Sequence, residues 1–155
     1  MIYTLRLYWE AFDLWDEDRY QEAIDKFQQA LAIYREVGSR EEEGKTLHYL
    51  GDIYNNLAEY TQALEFYQPA LSIAREVGNR DEEGKILNHL GGVYDNLGES
   101  ARALYYYQQA LSIARETSDR SGEGTTLNGL GVVYDRLGEW ESTPKPNDTT
   151  LILWS

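Results

Sequence analysis

Apolar residues along this chain mark out paired helices, and the pairs recur forty positions apart. Between Gly44 and Leu57, the residues Leu47, Leu50, Gly51, Tyr54 and Leu57 fall on one stripe at helical spacing. Between Tyr60 and Val77, Ala63, Leu64, Tyr67, Ala70, Leu71 and Ala74 do the same. The stretch GKTLHYLGDIYNNLAEYTQALEFYQPALSIAREVGNRDEE starts at Gly44 and returns from Gly84 as GKILNHLGGVYDNLGESARALYYYQQALSIARETSDRSGE. It begins a third time at Gly124 as GTTLNGLGVVYDRLGEW, and Arg19–Glu43 matches its second half. Ala58-Glu59, Gly98-Glu99 and Gly138-Glu139 separate the two helices of a unit, while Gly38 and Gly78 separate units. A glycine directly after a helix favours the left-handed cap, so these junctions read as tight turns. The unit is therefore helix–turn–helix. Neither helix buries its stripe alone, so stacking on neighbouring units must do it.

The pattern predicts seven helices, three pairs and one unpaired. The expected domain covers 1–140: a diverged first repeat (1–38), a second (39–78), a third (79–118) and a half repeat (119–140). In the first helix, Ala11 stands where Gly51 and Gly91 stand later, which keeps a small residue at the helix crossing. Around it lie Tyr3, Tyr8, Trp9, Phe12 and Trp15, expected to complete the core of the first repeat, with an exposed partner patch as the second reading. Ser39, Asn79 and Ser118 or Asp119 are expected N-caps, followed by acidic residues that suit the helix dipole. Arg40, Arg80 and Arg120 recur in step and read as a ladder of solvated charges of little individual worth. Pro144 and Pro146 forbid a helix in the 141–155 tail, which is expected to be irregular. Its apolar Leu151-Ile152-Leu153-Trp154 is expected to dock on the unpaired last helix, with exchange between copies as the alternative.

Leu47, Leu50, Gly51, Tyr54, Ala63, Tyr67 and Ala70, and again Leu87, Leu90, Gly91, Tyr94, Ala103, Tyr107 and Ala110, resemble the tetratricopeptide repeat signature. The resemblance covers roughly Arg19–Trp140. A forty-residue period departs from the usual thirty-four and resembles the longer variant of kinesin light chains and of adaptors that bind G-protein regulatory motifs. The resemblance implies an all-α fold, a right-handed superhelix of stacked antiparallel helix pairs, with the first helices lining the concave face. It also implies a scaffold that binds proteins or peptides. Some family members clamp C-terminal carboxylates with Lys, Arg and Asn. Here Lys45 and Lys85 lack the accompanying asparagine, because Asp52, Gly92 and Val132 stand at its offset, so that clamp is not expected.

Composition narrows the partners. The chain has 155 residues, 27 acidic against 14 Lys and Arg, and a formal charge of −13. That balance argues against nucleic acid and anionic membranes, both of which need basic surface. The absence of cysteine excludes disulfides and thiolate metal sites. No apolar run approaches the ~20 residues of a membrane span, and Arg6, Glu10 and Asp13 interrupt the first twenty residues, so neither a span nor a secretory signal is expected. A cytoplasmic location is the default reading.

The residues between the apolar positions of the first helices should face the groove. They are Tyr8, Trp9 and Phe12 in the first repeat, Lys45, His48, Tyr49 and Asp52 in the second, Lys85, Asn88 and His89 in the third, and Asn128 in the half repeat. This set suits an extended peptide. Asparagine pairs with backbone N–H and C=O whatever the peptide sequence, and aromatic pockets supply an anchor. Asn88 and Asn128 occupy one offset, Asn56 and Asn96 another, the latter pair near a helix end where turns also favour them. His48 and His89 are the only histidines. No His-Glu-x-x-His pattern and no glycine-rich phosphate loop accompanies them, so no catalysis, cofactor or metal is expected. The alternative to peptide binding is a self-assembling module that forms homo-oligomers through open solenoid ends or the apolar tail.

Overall fold

A computed structural model describes residues 2–138. Among them run seven helices: α1 (Ile2–Asp16), α2 (Tyr20–Val37), α3 (Arg40–Asn56), α4 (Tyr60–Val77), α5 (Arg80–Asn96), α6 (Ser100–Glu116) and α7 (Arg120–Arg136). Each junction between them is closed in the same way. The amide after a left-handed residue reaches back five positions, as from Ser39 to the Tyr34 carbonyl and from Glu59 to that of Tyr54, both at 2.9 Å. This satisfies carbonyls that a helix end otherwise leaves bare. Gly78 at φ 72° fits that conformation without strain, but Asp18, Ala58 and Ser118 adopt it near φ 58° despite their side chains. Two of the expected side-chain caps form. Asn79 accepts from the Glu82 amide and Asp119, not Ser118, from that of Gly122. Ser39 holds the N-cap position without a side-chain capping bond.

The core is laid down by the repeated offsets. Phe27, Tyr67 and Tyr107 occupy one position of the second helices and are buried. Each tyrosine ring passes directly beneath a glycine of its partner helix. A Cβ on Gly51 would stand 2.6 Å from the Tyr67 ring, and one on Gly91 2.6 Å from that of Tyr107. The crossing therefore requires glycine, and the ring carries its hydroxyl through to the far side. Leu57, assigned to the apolar stripe by spacing, instead follows the last turn of α3 and is 37% exposed. The first helices also meet one another across repeats, α3 with α5 and α5 with α7. The second helices are bridged by longer side chains, Gln68 to Tyr106 and Arg75 to Gln109. Tyr8, Phe12 and Trp15 pack against the core as expected, whereas Tyr3 and Trp9 are 61% and 64% exposed.

Two rungs of the charged ladder, at Arg40 and Arg80, are not the solvated fringe their sequence suggests, whereas Arg120 is exposed. Glu43 and Glu83 are buried at 6% and 5% exposure. Glu83 takes Arg75 from the preceding helix at 2.9 Å and Arg80 from its own first turn at 2.7 Å. Arg80 continues to Glu116 at 2.5 Å, tying α4, α5 and α6 together. Arg35, Arg40, Glu43 and Glu76 repeat the arrangement one unit earlier. A buried carboxylate bonded on both oxygens is worth more than an exposed pair. Glu83→Ala is expected to cost about 1.5–3 kcal/mol, the range for hydrogen bonds to charged groups, since the half-exposed arginines can turn to water. Urea denaturation checks this, and an unchanged midpoint contradicts it.

Candidate functional site

Two features stand on the row of first helices. The first is a polar cluster between α3 and α5. His48 is buried at 4% exposure, and its Nδ1 lies 2.6 Å from Glu82 Oε1. Its Nε2 lies 2.9 Å from Nδ1 of His89 and 3.5 Å from Oδ1 of Asp52. His89 Nδ1 is in turn 2.8 Å from the same Asp52 oxygen. That oxygen also accepts the Tyr67 hydroxyl at 2.6 Å, the ring having passed under Gly51 to reach it. Burial pushes Asp52 up, but the His89 bond, the two imidazoles and the Tyr67 hydroxyl outweigh it and hold the carboxyl below its ordinary value. Glu82 behaves alike: burial raises it, and the His48 bond with the charges of His48, Lys85 and Lys45 lowers it further. Burial and the facing Asp52 charge push the Tyr67 phenol well up, so it stays a donor.

The second feature is a recess of about 340 Å³ between α5, α6 and α7. Ala110, Ile113 and Ala114 line it with apolar surface, and Lys85, Asn88, His89 and Thr125 with polar groups. The corresponding space one repeat earlier, beside Lys45 and Ile73, measures about 10 Å³. The difference lies in the side chains. Glu82 fills the earlier junction, and its counterpart one repeat on is Gly122.

The three junctions between first helices thus share one frame and differ in chemistry. Between α1 and α3, Tyr8 meets Tyr49 edge to face, ring centres 6.0 Å apart. Between α3 and α5 the same two offsets carry His48 and His89. Between α5 and α7 they carry Asn88 and Gly129, and Asn88 accepts instead from the Thr126 hydroxyl at 3.1 Å. Burial and the Asp95 charge push the Tyr107 phenol, which lies against Gly129, up to about 12.

The eleven groove residues separate accordingly. Trp9, Lys85 and Asn128 are exposed. Lys45 pairs with Glu41 at 2.7 Å, and Tyr49 stacks on Phe27 and His48. Tyr8 and Phe12 pack on the core, and Asn88 has its oxygen engaged. His48, Asp52 and His89 converge on one another rather than on the groove. His48 and Asp52 share one face of α3, but His89 lies about one repeat further along the chain, so the pattern of a single helix does not reveal the trio. The readable signal was Glu82 and His89, two turns apart on α5, beside His48 and Asp52 on α3.

A tetratricopeptide repeat profile matches residues 3–76, 42–116 and 82–142. The chain belongs to the tetratricopeptide repeat family, and its fold is an all-α helical-repeat solenoid. No curated protein matches it. Among solved structures it is similar to BtubC (BKLC) from P. vanneervenii, at 20% identity and TM-score 0.81, covering 94% of this chain and 68% of that one. The apo form of RapI gives 21% identity and TM-score 0.84 over 90% of this chain, which spans 51% of RapI. A putative kinesin light chain from Podosopora anserina with nearly identical TPR-like repeats gives 17% and 0.71 over 90%, spanning 69% of that chain. These likenesses establish the fold. No helix among the described residues is long and apolar enough to cross a membrane. The proposed tail docking falls on residues outside those described.

Proposed function

We propose that this chain is a protein-binding module that lays an extended peptide along its first helices. The observation that carries the reading is the recess between α5, α6 and α7, where Lys85, Asn88 and Thr125 surround an apolar floor. An apolar pocket with a few convergent polar groups is the common form of a binding site. Asn128 is exposed one repeat along from Asn88, so a peptide anchored in the recess meets a second amide. The binding face is the groove along the first helices, and Trp9 marks its far end.

Selection from a displayed peptide library, followed by fluorescence titration of the winners, tests this. The double change Lys85→Ala, Asn128→Ala touches exposed side chains and is expected to weaken binding tenfold or more with little change in stability. Tyr105→Ala, on the exposed face of α6, is the control. Winners that ignore the double change and lose affinity with Tyr105→Ala would move the site to the second helices.

A second reading, self-assembly, rests on Ile2, Leu5 and Trp9. They are 86%, 50% and 64% exposed and form one stripe along α1. In α3 and α5 the offset of Trp9 carries Tyr49 and His89, which pack on the preceding repeat. The stripe is thus a stacking face, and light scattering across a concentration series shows whether copies use it.

A further inference from the structure

We propose that α3 and α5 together bind one divalent transition-metal ion through His48 Nε2, His89 Nδ1 and Asp52 Oδ1. The three atoms form a triangle with edges of 2.9, 2.8 and 3.5 Å. Ligands ~2.0–2.1 Å from a tetrahedral ion stand about 3.3 Å apart, so two edges open by about half an ångström. The His89 side chain, 37% exposed, has the freedom to make that shift.

The surroundings are those of a ligand set. Glu82 accepts the Nδ1 proton of His48, which leaves the Nε2 lone pair aimed into the triangle. A carboxylate behind a ligating imidazole fixes its tautomer and raises its basicity. The Tyr67 hydroxyl orients Asp52 from the other side. To ligate through Nδ1, His89 carries its proton on Nε2, so binding needs only a change of tautomer. Asp52 then faces the dication directly, with Glu82 behind the His48 ring. Two imidazoles and a carboxylate favour zinc, iron, nickel or copper over magnesium or calcium.

The arrangement is not a by-product of the repeat. One unit on, the positions of His48, Asp52, Glu82 and His89 hold Asn88, Gly92, Gly122 and Gly129. One unit earlier, the positions of His48 and Asp52 hold Tyr8 and Phe12, and Tyr49 stands at that of His89. The complete donor set occurs at a single junction. An ion there links the second repeat to the third, and one of its ligands, His89, also lines the recess.

The full chain, freed of metal by a chelator, is titrated with Zn²⁺ by calorimetry and with Co²⁺ by visible absorption. One ion per chain is expected, with a melting temperature that rises on Zn²⁺ addition and does not respond to equal Mg²⁺. His89→Ala removes a partly exposed donor and is expected to keep helicity and lose the site; Asp52→Asn serves if that variant unfolds. Glu82→Gln is expected to retain binding weakened ~10–100-fold, as for an outer-shell partner. The proposal is overturned if the unaltered chain shows no saturable one-to-one binding. It is also overturned if the donor variants bind as well as the original, which places the ion on the acidic surface.

Discussion

Gly91→Leu is expected to destabilise the protein by several kcal/mol, at or beyond the upper end of the ~1–3 kcal/mol usual for overpacking. A Cβ at Gly91 meets three ring atoms of Tyr107 between 2.6 and 2.8 Å. The far end of the same ring lies close against Gly129, which leaves it little room to retreat. Leucine gains roughly 1 kcal/mol of helix propensity over glycine, too little to offset the clash. For a chain of this length a loss of about 3 kcal/mol lowers the melting temperature by roughly 6–12 °C, measurable by circular dichroism. An unchanged melting temperature would show that the two helices do not cross there.

Pro69→Gln is expected to act in the opposite direction. Pro69 lies inside α4, which runs unbroken from Tyr60 to Val77. Gln29 and Gln109 occupy the same position in α2 and α6. Proline offers no N–H to the carbonyl four residues back and costs ~3 kcal/mol in a helix interior. Loss of its stiffening of the unfolded chain takes back ~0.4–1 kcal/mol, leaving a net gain of about 2 kcal/mol. The urea midpoint should rise with an unchanged slope. A less stable variant would mean that neighbouring helices have adapted their packing to the proline ring.

The repeat was legible because the same letters return at a fixed distance, and Gly51 and Ala63 announce a close crossing by size alone. Other features were hidden by the distance over which they form. Glu43 reads as one of three acids in a first turn, and its burial depends on Arg35 from another helix. His48 and His89 read as two separate groove contacts because the pattern was taken helix by helix. Their meeting follows only once the forty-residue period is turned into a stacking distance, which sets residue i beside i+41. Asn88 likewise reads as a free amide until α7 brings Thr126 against it. Local pattern reveals which face of a helix is apolar. It does not reveal which polar groups the neighbouring repeat will find opposite them.

The three unlike junctions have a mechanical consequence. In a solenoid each unit leans only on its neighbours, so stability is a sum of local couplings rather than one shared core. Rings fill the joint between α1 and α3, and a polar knot ties the one between α3 and α5. At the joint between α5 and α7, glycine stands opposite asparagine above an open recess. Each joint is therefore expected to yield on its own terms, so that loosening one leaves the others standing.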